Sequence, residues 1–253
     1  MDNAFLVTLS RQVMLERQMD VVANNIANLN TAGFKTTSLV FGELLNRVAQ
    51  DNNFAPPDAP VHFVINRTAY RNPGQGPIQQ TGNPLDVAIN GDGFLSVQTA
   101  AGERYTRNGA MVINAAGQLM TADGSIVNGD TGPIVFQTTD RSVSISADGR
   151  VSVLEGLTNT ETQRGKLKLV SFAQPEGLQN EGSNQFSAPA GVVGQPAPAS
   201  VMVVQGAVEG SNVNGVREMT RMIETNRTYT MIASLMQTQD DPRTIDRLAD
   251  FPA

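Results

Sequence analysis

The strongest apolar periodicity lies at the two ends of the chain. Leu15, Met19, Val22, Ile26 and Leu29 recur at alternating steps of four and three, the spacing of a helix face packed against a partner. A helix capped by Asp2 or Asn3 and running to about Asn28 would carry this seam, over ~40 Å in all. Leu6, Leu9 and Val13 project roughly opposite to it. Either the helix twists through the core of its own domain, or neighbouring subunits cover its first turns on both sides. Near the other end, Met219, Met222, Asn226, Tyr229, Ala233 and Met236 repeat the three–four spacing, and Val216 and Ile223 widen the stripe. Asn212 or Asn214 would cap this second helix, and Asp241-Pro242 would stop or kink it after about Asp240. Asn226 within the seam reads as a register device. Past residue 230, Met231, Ile232, Leu235 and Met236 spread apolar character around the circumference. In an antiparallel pair this end lies beside the first turns of the N-terminal helix. Apolar surface on every side of a helix must be buried in something, which favours assembly.

After the first helix, Asn24, Asn25, Asn28 and Asn30 dilute helix propensity and read as fraying and capping. Thr31-Ala32-Gly33 supplies a stop, with Gly33 free to take positive φ, and Phe34 is placed to fold back. From Thr36 to about Asn53 the pattern is ambiguous, and Leu39, Phe41, Leu44, Leu45 and Val48 can form a short helix; residues 52–60 have a linker's composition, and 62–70 can form one strand. The middle of the chain is β-like. Leu85, Val87 and Ile89 alternate with Asp86, Ala88 and Asn90, as in a half-buried strand. Ala100-Ala-Gly, Ala115-Ala-Gly, Ala122-Asp-Gly and Ala147-Asp-Gly punctuate this region at irregular intervals, which predicts a meander of hairpins with glycine turns. The Pro-containing stretch 173–200 reads as irregular before a last strand at 201–204. The predicted fold is α+β: a discontinuous, coiled-coil-like helical stalk built from the two long terminal helices, with an inserted, mainly antiparallel β domain. Its segments are 1–45 with 206–253 for the stalk, 46–80 as a linker or extended region, and 81–205 as a β-rich outer domain.

Composition narrows the function. Apolar residues make up 40% of the 253 and charged residues 17%, enough for a buried core. Net charge is −6 without a Lys/Arg cluster, which argues against nucleic-acid binding. The chain has no cysteine, which removes disulfides, thiolate metal sites and a Cys nucleophile. No apolar run reaches membrane-spanning length, and the start lacks the pattern of a signal peptide. His62 is the only histidine, and one imidazole builds no metal site without partners. HExxH, a phosphate-binding Gly-Lys-Ser/Thr loop and a GxSxG elbow are all missing. Asn90-Gly-Asp-Gly-Phe-Leu holds a GxG, but a strand-like segment follows where a dinucleotide site needs a helix. The expectation is therefore no catalytic residue, no metal and no cofactor, and a structural or interaction protein.

Four stretches carry a resemblance: ANNIANLNTAGFK at 23–35, TGNPLDVAINGDGFLSVQ at 81–98, YTRNGAMVINAAGQL at 105–119, and EGSNVNGVREMTRMIETNRTY at 209–229. In that order they resemble the axial proteins of the bacterial flagellum, particularly the basal-body rod proteins. Length and opening are most similar to the proximal-rod branch, with the distal-rod branch a close second. The resemblance implies a non-enzymatic structural subunit that polymerises into a helical tube transmitting torque from motor to hook. It implies export through the flagellar type III apparatus without a cleaved signal peptide, and a place in the periplasmic rod. Partners would be other rod subunits, proximal and distal, and further copies of itself. By the same resemblance, Asn24, Asn25, Asn28, Gly33 and Phe34, with Ser211, Asn212, Val213 and Asn214, would be assembly signatures. The seams add Leu15, Met19, Val22, Ile26, Leu29, Met219, Met222, Ile223, Asn226, Tyr229, Ile232 and Met236 to the expected interface. A different class remains open: a secreted β-rich ligand-binding module with an oligomerisation stalk.

Overall fold

Asn214 starts a helix because its side chain supplies what the first turn lacks. Its Oδ1 accepts the Arg217 N–H at 3.1 Å, and its carbonyl accepts the Glu218 N–H at 3.0 Å. The computed structural model describes residues 2–46, 61–156 and 160–239, with burial of side chains described within 8–40, 70–156, 160–234 and at 236. The linker at 52–60, the stop at Asp241-Pro242, and the side chains of Leu6 and Leu235 lie outside the described residues. The chain forms two units: Met1–Ala27 with Thr37–Arg71 and Asn214–Ala253, and Asn28–Thr36 with Asn72–Val213.

The first unit holds the helices α1 (Asp2–Ala27) and α2 (Gly215–Gln239) and the strands β1 (Thr37–Asn46) and β2 (Val61–Arg71). The strands pair antiparallel from Thr37 opposite Arg71 to Asn46 opposite Val61, with a bulge at Val40/Phe41. The helices are antiparallel, since Gln12 reaches Tyr229 and Asn25 reaches Glu218.

The coiled-coil-like stalk is corrected here. The two α-helices pack on one another, but α1 also packs against both strands of the hairpin. Met219 and Asn226, which a heptad seam turns inward, are exposed. The least exposed line on α2 runs instead through Glu218 and Thr225, with Met222, Tyr229, Ile232 and Met236 half-buried. Polar ties to α1 run through this line, Tyr229 accepting from Gln12 and Glu218 from Asn25, and because α1 is shared between α2 and the hairpin the two helices do not stand as a separate coiled-coil stalk. Asn226 consequently sets no register. Residues 37–46 are also corrected, from a short helix to a strand, because β2 offers an eleven-residue partner that local spacing could not reveal.

The second unit is almost entirely β. In chain order its strands are β3 (Ile78–Gln80), β4 (Val87–Asn90), β5 (Phe94–Thr99), β6 (Gly102–Thr106), β7 (Met111–Ile113), β8 (Leu119–Thr121) and β9 (Ile126–Gly129). There follow β10 (Gly132–Pro133), β11 (Asp140–Ile145), β12 (Arg150–Glu155), β13 (Thr160–Lys166) and β14 (Leu169–Ser171). The last are β15 (Gln179–Gly182), β16 (Gln185–Ser187), β17 (Gln195–Pro196), β18 (Met202–Gln205) and β19 (Ala207–Glu209). The main sheet runs β15-β16-β6-β5-β9-β8-β7, beside a β11-β12-β13 sheet and the pairs β18-β4 and β19-β3. Every pairing is antiparallel. The four Ala-x-Gly units do close hairpins, with Gly102, Gly117, Gly124 and Gly149 all at positive φ.

One continuous core joins Val87, Leu95, Leu119, Val127, Val151 and Leu167. The half-buried reading of residues 85–90 is corrected: Asp86, Val87, Ala88 and Ile89 are all buried. Asp86 tolerates this because Thr81 Oγ1 and Asn83 Nδ2 donate to its carboxylate at 2.7 and 2.9 Å.

Candidate assembly interface

Two of the resembling stretches meet inside the second unit. After Asn28 the chain turns, with the Thr31 N–H on the Asn28 carbonyl at 3.2 Å. Gly33 follows at φ +69° and donates its N–H to the Glu209 carbonyl at 2.7 Å. A Cβ at Gly33 would stand 2.6 Å from the Arg107 carbonyl carbon and the Asn108 nitrogen, so both conformation and space require glycine. Asn212 completes the join. Its N–H donates to the Phe34 carbonyl at 3.3 Å, and its Oδ1 accepts both the N–H and the hydroxyl of Thr36 at 2.7 Å. Its Nδ2 donates to the carbonyls of Asn72 and Gly74 at 3.0 and 2.8 Å. Asn184 Nδ2 holds the Ala32 carbonyl at 3.0 Å.

Beneath this join lies a buried charge cluster. Glu209 is fully buried at the end of β19; its Oε1 accepts Lys35 Nζ at 2.5 Å and the Gly76 N–H at 2.9 Å. Its Oε2 accepts Arg107 Nη1 at 3.3 Å. Lys35 and Arg107 are also buried, Lys35 Nζ gives a second bond to the Gly74 carbonyl, and the Arg107 guanidinium lies 4.9 Å over the Phe94 ring. Burial pushes the Lys35 ammonium below its ordinary value; the ion pair with Glu209 opposes that shift, and Arg107 adds to it. Lys35, Arg107 and Glu209 went unnoticed in the sequence. The signal was present but faint: each of three stretches ends or turns on a charge, in GFK, YTRNG and VEGS.

The expected interface residues divide by accessibility. In the first unit Leu15, Val22 and Asn25 are buried, Met19, Ile26, Met222, Tyr229, Ile232 and Met236 are half-buried, and Asn24, Asn214, Met219, Ile223 and Asn226 are exposed. In the second unit Gly33, Phe34 and Ser211 are buried, while Asn28, Leu29, Asn212 and Val213 are half-buried. Asn25 is no frayed helix end. Its Oδ1 accepts the Thr37 N–H at 3.0 Å, and its Nδ2 donates to the Thr37 carbonyl at 2.8 Å and to Glu218 at 3.1 Å. The buried residues thus shape the subunit itself.

One open face of α2 carries four exposed apolar side chains among the exposed polar ones of Thr220, Arg227, Thr230 and Ser234. Val216, Met219, Ile223 and Met231 are 51–78% exposed, and at 100° per residue they lie within about 120° of one another. On α1, Leu9 and Val13 are exposed together. Among the described residues, no group of His, Cys, Asp and Glu could hold a metal ion, and no helix is long and apolar enough to cross a membrane.

The chain matches three family descriptions in succession. Residues 5–35 match "Flagella basal body rod protein", residues 88–153 "Flagellar hook protein FlgE/F/G D1 domain", and residues 204–243 "Flagellar basal body rod FlgEFG protein C-terminal". It is 38% identical over 237 residues to the flagellar basal-body rod protein FlgF of Caulobacter vibrioides, covering 93% of each chain. It is 35% identical to the rod protein FlgG of Agrobacterium fabrum, over 91% of this chain and 92% of that one. Identity to FlgF of Escherichia coli is 33%, over 95% of each chain.

Proposed function

The chain belongs to the flagellar basal-body rod protein family, a structural subunit of the rod, and we propose that it occupies the proximal rod. In this reading it is exported by the flagellar type III apparatus without a cleaved signal peptide and joins other rod subunits in the periplasm. It has no catalytic role there. Copies and relatives in heterologous, non-closing contact form a helical tube that carries torque from motor to hook.

The observation that carries this reading is the set of exposed apolar side chains on one face of α2, Val216, Met219, Ile223 and Met231. A rod subunit needs such a face for its neighbours, whereas a free-standing ligand-binding module would pay for it in solubility. The proximal position is supported within one organism, Caulobacter vibrioides, whose FlgF is 38% identical to the chain and whose FlgG is 33% identical. The FlgG likeness keeps the distal rod as the second reading.

The absence of cysteine makes the test clean. A single cysteine replaces Thr220, on the open face of α2, at native expression level, and purified basal bodies are crosslinked. Adducts to rod subunits are expected, and their identity separates proximal from distal rod. A protein absent from basal bodies, without adducts, would overturn the assignment.

A further inference from the structure

Few apolar side chains of α1 and α2 are buried among those whose burial is described. Among its described residues only Leu15 and Val22 are fully buried apolar side chains, whereas the second unit has a continuous core. Segments with so few buried apolar contacts sit at the low end of local stability. The two segments that lead into those helices are held differently. Residues 28–36 and 209–213 belong to the second unit, and they are joined there by Gly33 to the Glu209 carbonyl, Asn212 to Phe34, Thr36 to Asn212 and Lys35 to the Glu209 carboxylate.

We propose that Glu209 is a positioning residue for assembly: its buried carboxylate, gathering Lys35, Gly76 and Arg107, keeps the roots of α1 and α2 fastened together in the free subunit whether or not the helices are formed. This rests on reading the chain as a rod subunit. Apolar packing alone would hold two roots together while letting them slide. A carboxylate receiving one ammonium, one guanidinium and one backbone N–H admits a single register, because any slip leaves a buried charge unpaired. Gly76 makes the fit tighter still, since a Cβ there would stand 2.0 Å from the Gly210 carbonyl oxygen. The subunit would therefore arrive at the growing rod with both roots already in place, and only the helices left to order.

Backbone hydrogen exchange on the purified, full-length free subunit tests this. In the wild type the amides of Gly33, Thr36 and Gly76 should exchange at least ~100-fold more slowly than the helical amides of α1 and α2. Glu209→Gln keeps the volume but sets an amide against two cations. It should accelerate those three amides at least ~10-fold and leave the amides of β5 and β9 unchanged. One common rate for roots and helices in the wild type would overturn the proposal, as would unchanged protection of the roots in Glu209→Gln. If that variant does not fold, Lys35→Met, which removes one cation and keeps the stem, is read in the same way. Exchange is measured before any rod exists, so its failure is distinct from failure of the rod assignment, which the basal-body crosslinks decide.

Discussion

The amide of Gly33 donates to the carbonyl of Glu209 at 2.7 Å, so the end of the first resembling stretch is bonded directly to the start of the last. That bond exists only because residue 33 has no Cβ. Gly33→Ala combines a left-handed conformation, costing ~1–2 kcal/mol, with overpacking against the Arg107–Asn108 peptide, costing another ~1–3 kcal/mol. Chemical denaturation of the free subunit should show a loss of about 2–5 kcal/mol. Gly177→Ala is the control: a Cβ there meets nothing within 4 Å, and its midpoint should barely move.

Asn25 bonds to Glu218 in a fully buried contact, and the pair is sensitive to charge. Asn25→Asp replaces the donor with a second carboxylate facing the first. Two facing buried carboxylates, with Arg221 at 3.4 Å from Glu218 as counter-charge, should cost roughly 3 kcal/mol at neutral pH. The helical signal at 222 nm should melt earlier in the variant. Acidification that protonates either carboxyl should recover part of the difference, whereas Asn25→Gln should show no such pH dependence.

Much of this architecture can be read from local sequence. The Ala-x-Gly units announce their turns because a positive φ is a local demand, met by Gly102, Gly117, Gly124 and Gly149 themselves. Asn214 announces the start of α2 for the same reason, since a cap needs only its own next three residues. β1 was illegible because Phe41, Leu44 and Leu45 suit a helix face as well as a strand, and its partner begins at Val61. The charge cluster was illegible because Lys35 and Arg107 lie 174 and 102 residues from Glu209, and no periodicity links them. Asn25 was misread as a fraying residue because its polarity speaks against a helix interior, while its partners Thr37 and Glu218 come from elsewhere.

The open face of α2 predicts an assembly defect without a folding defect. Ile223 is 55% exposed, so Ile223→Glu should shift the stability of the free subunit by no more than about 0.5 kcal/mol. Burying that carboxylate against an apolar neighbour is far costlier. Swarming should be lost and the variant should be missing from purified basal bodies, while its far-UV circular dichroism matches the wild type. A motile Ile223→Glu strain would exclude this face from subunit contact.

Asp140 and Arg164 give the β unit an acid-sensitive tie. The Arg164 guanidinium makes two hydrogen bonds to the Asp140 carboxylate, whose side chain is 4% exposed, and Asp140 also accepts the Gln137 N–H at 2.8 Å. Hydrogen bonding to Arg164 is the main reason the Asp140 carboxyl titrates below its ordinary value. An unfolded chain therefore binds this proton at a higher pH than the folded one. The stabilisation is fully present above the ordinary value of 3.8 and is lost as pH falls through the lower folded value. Thermal midpoints of the free subunit should accordingly drop through that acid window. Asp140→Asn should start lower at neutral pH, because it leaves Arg164 with only Glu155, at 3.6 Å, for a counter-charge. Its midpoint should then fall less steeply below pH 4, so the two proteins converge in acid. Parallel curves for the two proteins across that window would show that the pair carries none of the acid sensitivity.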